Sequence, residues 1–378
     1  MKVIAAPNAL KGTLSALHAA SAIARGAKRA SAVLDVLEMP IADGGDGTRD
    51  VLLAALGGEL REVLVHDPLG RTLRAHFALI DGGRTALLDV ATASGLSLLG
   101  DREPDPLRSS SFGTGELMRA ALTSGCERLV LGLGGSATVD GGLGLLAALG
   151  SPGLDAAGRP IPLGGSALSE LARFHTTAAR ALLAGRELVC LCDVETRLTG
   201  PDGARLFAPQ KGADENALHL LDAGLEQLAL CLEAHGGKNV RELTSGGAAG
   251  GIAATLSTLL GAQLVPGIDF VLDRLGFDAQ VAECELVITA EGQLDRQSSF
   301  NKGPFGVARR AHAAHVPTLV LAGGIAEDLD LAQTPFTSAL TITRELLPFT
   351  AARGNASAWL EATTEQALRL YLSASAKR

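Results

Sequence analysis

Carboxylates beside glycine-rich turns are the first chemical signal in this chain. Asp43 and Asp46 flank two glycines in ADGGDGT (42–48), and Asp140 lies inside GLGGSATVDGGLG (132–144). Asp193 closes an apolar run, and Glu291 and Asp295 sit in ITAEGQLD. Two more turns, SSSFGTGE (109–116) and SGGAAGG (245–251), carry glycine without acids nearby in their centres. Glycine lets backbone approach an anion closely and aim its N–H groups at it. Acids at strand ends can orient a hydroxyl nucleophile, accept its proton, or hold the magnesium that accompanies a nucleotide. The combination points to a site for a phosphate or a sugar acid. Each feature also has a structural reading, since glycine ends helices and aspartate caps them or starts turns.

Three lysines, Lys11, Lys211 and Lys302, are each followed directly by glycine, which places them on loops. They are the candidate positive groups; the plain alternative is solvated surface lysine. Other chemistries fit less well. Gly132-x-Gly134-x-x-Ala137 has the look of a dinucleotide fingerprint, but that site needs an acid about 20 residues on at a second strand's end. Asp155 has that spacing and lies in SPGLDAAG, a poor strand. No G-K-[ST] exists for a P-loop and no G-x-S-x-G for a nucleophile elbow. His312 and His315 have no acid or cysteine spaced to complete a metal site. The cysteines (126, 190, 192, 231 and 284) are odd in number and without a C-x-x-C pair, which reads as reduced, buried thiols of a cytosolic protein.

The elements that must position these groups follow an α/β rhythm. Val3–Ala6, Ala32–Leu37, Arg128–Gly132, Glu187–Cys192, Glu285–Thr289 and Thr318–Ala322 read as strands. Ser15–Ala30, Thr48–Leu56, Glu116–Ser124, Gly141–Leu149 and Ala356–Tyr371 read as helices, with Ser15 a suitable N-cap. Between residues 60 and 90 the pattern changes to short runs punctuated by DPLG and DGG, the mark of an antiparallel meander. The change near residue 67 suggests a domain boundary. The net charge of −8 argues against nucleic acid or an anionic membrane as the main partner, yet a local cluster of lysines and helix N-termini can still capture a phosphate. The uncharged stretch 243–268 is long enough to span a bilayer, but its glycines and Pro266 mark it as a loop followed by a buried helix. The start, MKVIAAPNALKG, has too short an apolar run for a signal peptide, so the expected location is cytoplasmic.

In this order, the blocks resemble the class I glycerate kinase family. They are APNALKGTLSA (6–16), PIADGGDGT (40–48), DPLGR (67–71), ATASGL (91–96), SFGTGEL (111–117), GLGGSATVDGGLG, CDVETRLTGPDGA (192–204), FAPQKGA (207–213), SGGAAGGIAA (245–254) and TAEGQLDRQSSFNKGPFGVA (289–308). The resemblance implies two α/β domains with the active site in the cleft between them. One is Rossmann-like and discontinuous, residues 1–67 plus 286–378; the other, 68–285, is inserted into it. It implies transfer of the γ-phosphoryl group of ATP, with Mg2+, to a hydroxyl of D-glycerate, giving 2-phosphoglycerate or 3-phosphoglycerate. Asp193, Asp43 and Lys11 are then the expected catalytic residues, with Asp193 or Asp43 taking the hydroxyl proton. Gly134, Gly135, Ser136, Asp140 and Lys211 are expected at the nucleotide. Ser94, Thr114, Glu291 and Asp295 are expected at the substrate, and Asp46 and Asp295 at the metal. The chain departs from the family pattern at Asn8 and Ala9, where Asp-Ser is common, and at Asp46, Val139, Ala290 and Asn301. The alternatives are a kinase for another small hydroxy acid and a non-catalytic small-molecule binding protein on the same fold.

Overall fold

Aliphatic runs bounded by glycine, proline or acid become strands, and segments with apolar residues every third or fourth position become helices. The computed structural model describes residues 1–236, 239–295, 303–345 and 349–375. In chain order the first elements are β1 (Lys2–Ala5), α1 (Ala16–Ala30), β2 (Asp35–Glu38), α2 (Thr48–Leu56), β3 (Glu59–His66), β4 (Thr72–Ile80), β5 (Thr85–Asp89), α3 (Ala91–Ser94) and α4 (Phe112–Thr123). Then come β6 (Arg128–Gly132), α5 (Leu143–Ala148), β7 (Gly153–Leu154), β8 (Arg173–Phe174), α6 (Thr177–Leu183), β9 (Glu187–Cys192), α7 (Glu215–Gly236), α8 (Ile252–Leu260) and β10 (Gln263–Pro266). The chain closes with α9 (Gly267–Arg274), α10 (Phe277–Val281), β11 (Leu286–Leu294), α11 (Gly303–Ala313), β12 (Thr318–Ile325), β13 (Ser338–Thr341) and α12 (Phe349–Ser375). No helix among the described residues is long and apolar enough to cross a membrane.

Two compact units result. The first comprises Met1–Asp43, Asp50–Ala55 and Ile268–Arg378; the second comprises Gly44–Arg49 and Leu56–Gly267. The sequence boundary at 67–68 falls inside the β3–β4 hairpin, whose antiparallel register from Glu59↔Leu79 to His66↔Thr72 keeps both strands in one sheet. The boundary at 285–286 moves back because α9 and α10 bury Ile268, Leu272 and Phe277 against Ile4, Ile41 and Val307 of the first unit.

The first unit holds a five-stranded, wholly parallel sheet in the order β13-β12-β11-β1-β2. From β1 the chain moves outward to β2, while β11, β12 and β13 are added on the other side. The strand order therefore reverses between β1 and β11, and such a switch point opens a crevice at the strands' carboxyl ends. Ser15 caps α1 by accepting a hydrogen bond from the His18 amide at 3.3 Å. Helix α1 is tied to α12 by Arg25 and Arg29, which both bond the carboxylate of Glu361, at 2.8 and 2.9 Å.

The second unit holds a six-stranded mixed sheet in the order β10-β9-β6-β5-β4-β3. Strands β3, β4 and β5 form the antiparallel meander, and β5, β6, β9 and β10 run parallel. Every residue of β5 is buried, whereas β3 is largely exposed and carries Glu59, Arg61 and Glu62 at the sheet edge. Charges there discourage edge-to-edge pairing. Helix α7 places Leu221, Leu225, Leu228 and Leu232 on its buried face, the spacing of an amphipathic helix.

Candidate active site

In the first unit the chain does not leave the sheet when β1 ends. The amides of Ala6 and Asn8 still donate to the carbonyls of Ile288 and Ala290, at 2.8 and 2.9 Å, which carries Asn8 to the sheet's carboxyl edge. There the Asn8 side-chain amide donates to Asp43 Oδ2 at 2.9 Å, while its own carbonyl accepts from the Ala9 amide at 2.8 Å. The Asp43 carboxylate is buried and also faces the Gly303 amide at 3.4 Å, at the start of α11. A helix N-terminus favours a negative charge in that position. Asn8 therefore supplies a donor to Asp43, where a second acid would have set two like charges together.

A cavity of about 410 Å3 opens at this edge. Asn8, Lys11 and Thr13 line it from the segment after β1, and Asp43 from the segment after β2. Glu291 and Asp295 contribute from β11 and its end, and Gly323, Gly324, Ile342 and Thr343 from the ends of β12 and β13. Arg353, Ala356 and Trp359 of α12 form the remaining wall. Lys11 and Arg353 are exposed, and Glu291 is buried. Glu291, beyond the strand expected over Glu285–Thr289, lies within β11, because pairing with β12 continues through Glu291↔Ala322 and Gln293↔Gly324 to Leu294↔Ile325. Lys302 and Asn301 lie outside the described residues.

In the second unit the glycine turns stack on one another at the carboxyl ends of β5, β6 and β9. Beyond β6, the Leu133 amide bonds the Leu191 carbonyl and the Gly134 amide bonds the Gly44 carbonyl, both at 3.1 Å. A Cβ on Gly134 would stand 2.5 Å from Gly45 Cα and 3.2 Å from Asp193 Oδ2. Gly44 has φ of +94° and is pressed against Leu191, where a Cβ would meet backbone at 3.0 Å. Glycine at both positions is thus required by the close approach of two backbones. Thr48 fixes the 44–48 turn, accepting from the Gly44 amide at 3.2 Å and donating to the Gly45 carbonyl at 2.7 Å. Asp46 projects from this turn into solvent, and Asp193 is half-buried just past β9.

Lys211 is buried, and its ammonium donates to Ser136 Oγ and to the Thr138 carbonyl, both at 2.8 Å. Burial pushes its pKa down from 10.5 to about 8, against the attraction of Asp140 and Asp193, which works to raise it. The thiol of Cys192, beside Asp193, is pushed up to about 12 by burial, with the Asp193 charge adding to the rise. It is therefore no thiolate nucleophile at neutral pH. All five cysteines are buried and free.

Three residues expected to touch a ligand are placed differently. Asp140 is fully buried, and its two oxygens accept from the Ser111 amide and hydroxyl, both at 2.8 Å, and from the amides of Gly142 and Gly144 at 3.0 and 3.2 Å. It joins the starts of α4 and α5, and its lone pairs are spent on them. Ser94 and Thr114 are also fully buried, and the Thr114 hydroxyl donates to that of Ser94 at 2.8 Å. The Ser94 carbonyl accepts from the Ala137 amide at 2.9 Å. The pair supports the 134–138 turn from behind. Conversely, Arg353, Trp359, Ile342 and Thr343 line the first unit's cavity although nothing in the sequence singles them out. Only the packing of α12 and the end of β13 brings them there, and no local motif marks them.

Comparison with known proteins bears on this geometry. The model of the glycerate kinase family matches residues 3–372. A glycerate kinase of Bacillus subtilis (strain 168) is 44% identical over 329 residues, covering 87% of this chain and 86% of that protein. A glycerate 2-kinase of Escherichia coli (strain K12) is 39% identical over 330 residues, covering 87% of each. A crystal structure assigned as glycerate kinase 2, from Salmonella typhimurium LT2, superposes with a TM-score of 0.84 at 37% identity over the whole of both chains. This chain belongs to the glycerate kinase family of enzymes.

Proposed function

We propose that this enzyme transfers the γ-phosphoryl group of ATP to the 2-hydroxyl of D-glycerate, giving 2-phosphoglycerate and ADP. The observation that carries the reading is the first unit's cavity. It sets Asp43, Glu291 and Asp295 against Lys11 and Arg353 at the switch point of a parallel sheet. Phosphoryl transfer needs positioning and charge compensation more than covalent chemistry, and such a set of groups supplies both. The 2-hydroxyl is favoured by the E. coli relative, named glycerate 2-kinase.

In the transfer, the glycerate hydroxyl oxygen forms the new bond to the γ-phosphorus, and the bond from that phosphorus to the bridging oxygen of ADP breaks. The hydroxyl proton passes to a carboxylate, for which Asp43 and Asp193 are the candidates. Asp43 is held by Asn8 and the start of α11, so it is fixed before substrate arrives. Lys11 offers its exposed ammonium to phosphate or to the glycerate carboxylate. Gly135 and Ser136 present the backbone turn that we assign to an anion, the Gly134 amide being spent on the Gly44 carbonyl, and Lys211 braces the turn from within. Magnesium keeps waters and binds through one or two carboxylates plus substrate phosphates. Asp295 is the candidate carboxylate in the first unit and Asp46 in the second. When bound, the ion neutralises charge on the phosphates.

The test is incubation of the folded protein with ATP, Mg2+ and D-glycerate, with the product read by phosphorus NMR. A 2-phosphate ester couples to a single neighbouring proton and gives a doublet; a 3-phosphate ester gives a triplet. A triplet would overturn the choice of hydroxyl, and no ester at all would overturn the reaction.

A further inference from the structure

The turn that carries Gly135 and Ser136 lies beyond the end of β6, so its shape depends on what is fastened to it. Lys211 holds one side, through Ser136 and Thr138. On the other side the chain at 94–96 runs antiparallel to it. The Leu96 amide donates to the Gly135 carbonyl and the Ala137 amide to the Ser94 carbonyl, both at 2.9 Å. This supporting segment needs fastening in its turn. Its near end is held where the Ser94 hydroxyl accepts from Thr114. Its far end is the short 3-10 helix Leu96–Leu99, in which Leu99 is buried and Ser97 exposed. The last carbonyls of a helix have no donors of their own. Arg102 supplies them: its Nε donates to the Leu99 carbonyl and its Nη2 to the Leu98 carbonyl, both at 2.6 Å. Its Nη1 stands 3.5 Å from Asp67 Oδ2, as an ion pair.

Asp67 is a fixed peg for that arginine. It is buried, its Oδ1 accepts from the Leu69 and Arg71 amides, both at 2.9 Å, and the Arg71 guanidinium bonds its Oδ2. Strand β3 pairs antiparallel with β4, and β4 with β5, so β3 runs parallel to β5. The DPLGR turn after β3 therefore lies at the same sheet edge as the glycine turns. We propose that Arg102, seated on Asp67, is a positioning residue for the transfer: it fixes the 94–99 segment and, through it, the Gly135–Ser136 turn. The proposal rests on the assignment of that turn to an anion made above. Arginine suits the task because its planar fork holds several acceptors in one fixed arrangement, which a lysine ammonium does not. Its loss acts on placement more than on folding, since Arg102 is partly exposed and the buried Leu99 still anchors the segment. Backbone donors that move away from the anion's position lose their hold on it.

Each substrate of the transfer brings an anion, the carboxylate of D-glycerate or the phosphates of ATP, and the turn serves one of them. The experiment measures kcat, both KM values and the urea midpoint for the full-length wild type and for Arg102→Met, which keeps the stem and removes the donors. One KM is expected to rise about tenfold or more while the other stays unchanged, and the one that rises names the anion. In Arg102→Ala, free guanidinium at low millimolar concentration is expected to bring the raised KM back toward the wild-type value, where equal sodium chloride does not. Arg71→Met is the control. Arg71 shares Asp67, but among the described residues it bonds neither the Leu98 nor the Leu99 carbonyl, so both KM values are expected to stay near wild type. A lower urea midpoint with both KM values unchanged would make Arg102 structural only and overturn the proposal. A rise of the same size in Arg71→Met would assign the effect to the loop as a whole and overturn it equally. Calorimetric titration with ATP and with D-glycerate reads the same split as dissociation constants. Should that split appear while the wild type forms no phosphoglycerate, the transfer reading fails and the positioning role stands. Should the wild type turn over while Arg102→Met matches it in both KM values, the role fails and the transfer reading stands.

Discussion

Replacing Lys211 by methionine removes a charge from the dry interior of the second unit while keeping most of the side chain's volume. The ordinary lysine pKa of 10.5 and the folded value of about 8 differ by an amount that converts to about 3 kcal/mol. Below pH 8 the lysine is protonated in both the folded and the unfolded chain, and the folded state carries the whole cost of burying it. Between pH 8 and 10.5 the unfolded chain holds a proton that the folded chain has released, so stability rises with pH. Above 10.5 the burial cost of the charge is gone. Lys211→Met has no such term. At pH 7 the variant escapes that cost but leaves Ser136 Oγ and the Thr138 carbonyl without their donor, at about 1–3 kcal/mol for each group left unsatisfied. The two proteins are therefore close in stability at neutral pH, and the slope is the diagnostic quantity. Urea unfolding of both at pH 7, 8, 9 and 10 should show the wild type gaining about 1–3 kcal/mol on the variant across that range. The other titrating groups are common to both proteins and cancel in the comparison. Parallel curves would show that the ammonium is not held in a water-poor site and would refute the bracing role given to it.

Two further substitutions separate support from chemistry. Asp140→Ala strips the common acceptor from four donors at the starts of α4 and α5, and is expected to cost about 3–5 kcal/mol in urea unfolding; a normally stable variant that has lost only nucleotide affinity would return Asp140 to the ligand. Asp193→Ala, at a half-buried position just past β9, is expected to lower kcat about a hundredfold or more with a small change in unfolding midpoint; near-normal turnover would leave Asp43 as the proton acceptor.

The chain's α/β rhythm is visible in its sequence because strands such as Arg128–Gly132 and Glu187–Cys192 are short apolar runs with sharp stops, and they appear where expected. The antiparallel meander between 60 and 90 is equally plain, since turn residues divide it. Extents are harder to read where tertiary pairing overrides local composition. The residues Ala290-Glu291-Gly292-Gln293 look like a turn, yet β12 holds them as strand, and α4 begins at Phe112 among glycines that suggest a loop. The cavity's α12 wall had no local signal at all, because Arg353 and Trp359 reach it only through the packing of distant chain segments.

Acids in glycine turns are ambiguous in sequence for a more general reason. A glycine-rich turn exposes several amide donors, and something must accept from them. In ADGGDGT the turn holds itself together through Thr48 and Gly44, and Asp46 is left in solvent. In GLGGSATVDGGLG the acceptor is Asp140 itself, which takes the Gly142 and Gly144 amides and disappears from the surface. The same residue types at similar spacing thus give one acid free to meet a ligand and another consumed as an internal anion. An acid two and four residues before the amides it accepts from, as Asp140 is, can act as its own turn's ligand. An acid aimed away from the turn, as Asp43 is, must be fixed by other segments, here Asn8 and the start of α11. Fixation from a distance is what a catalytic carboxylate requires, and it is the feature that a linear motif cannot display.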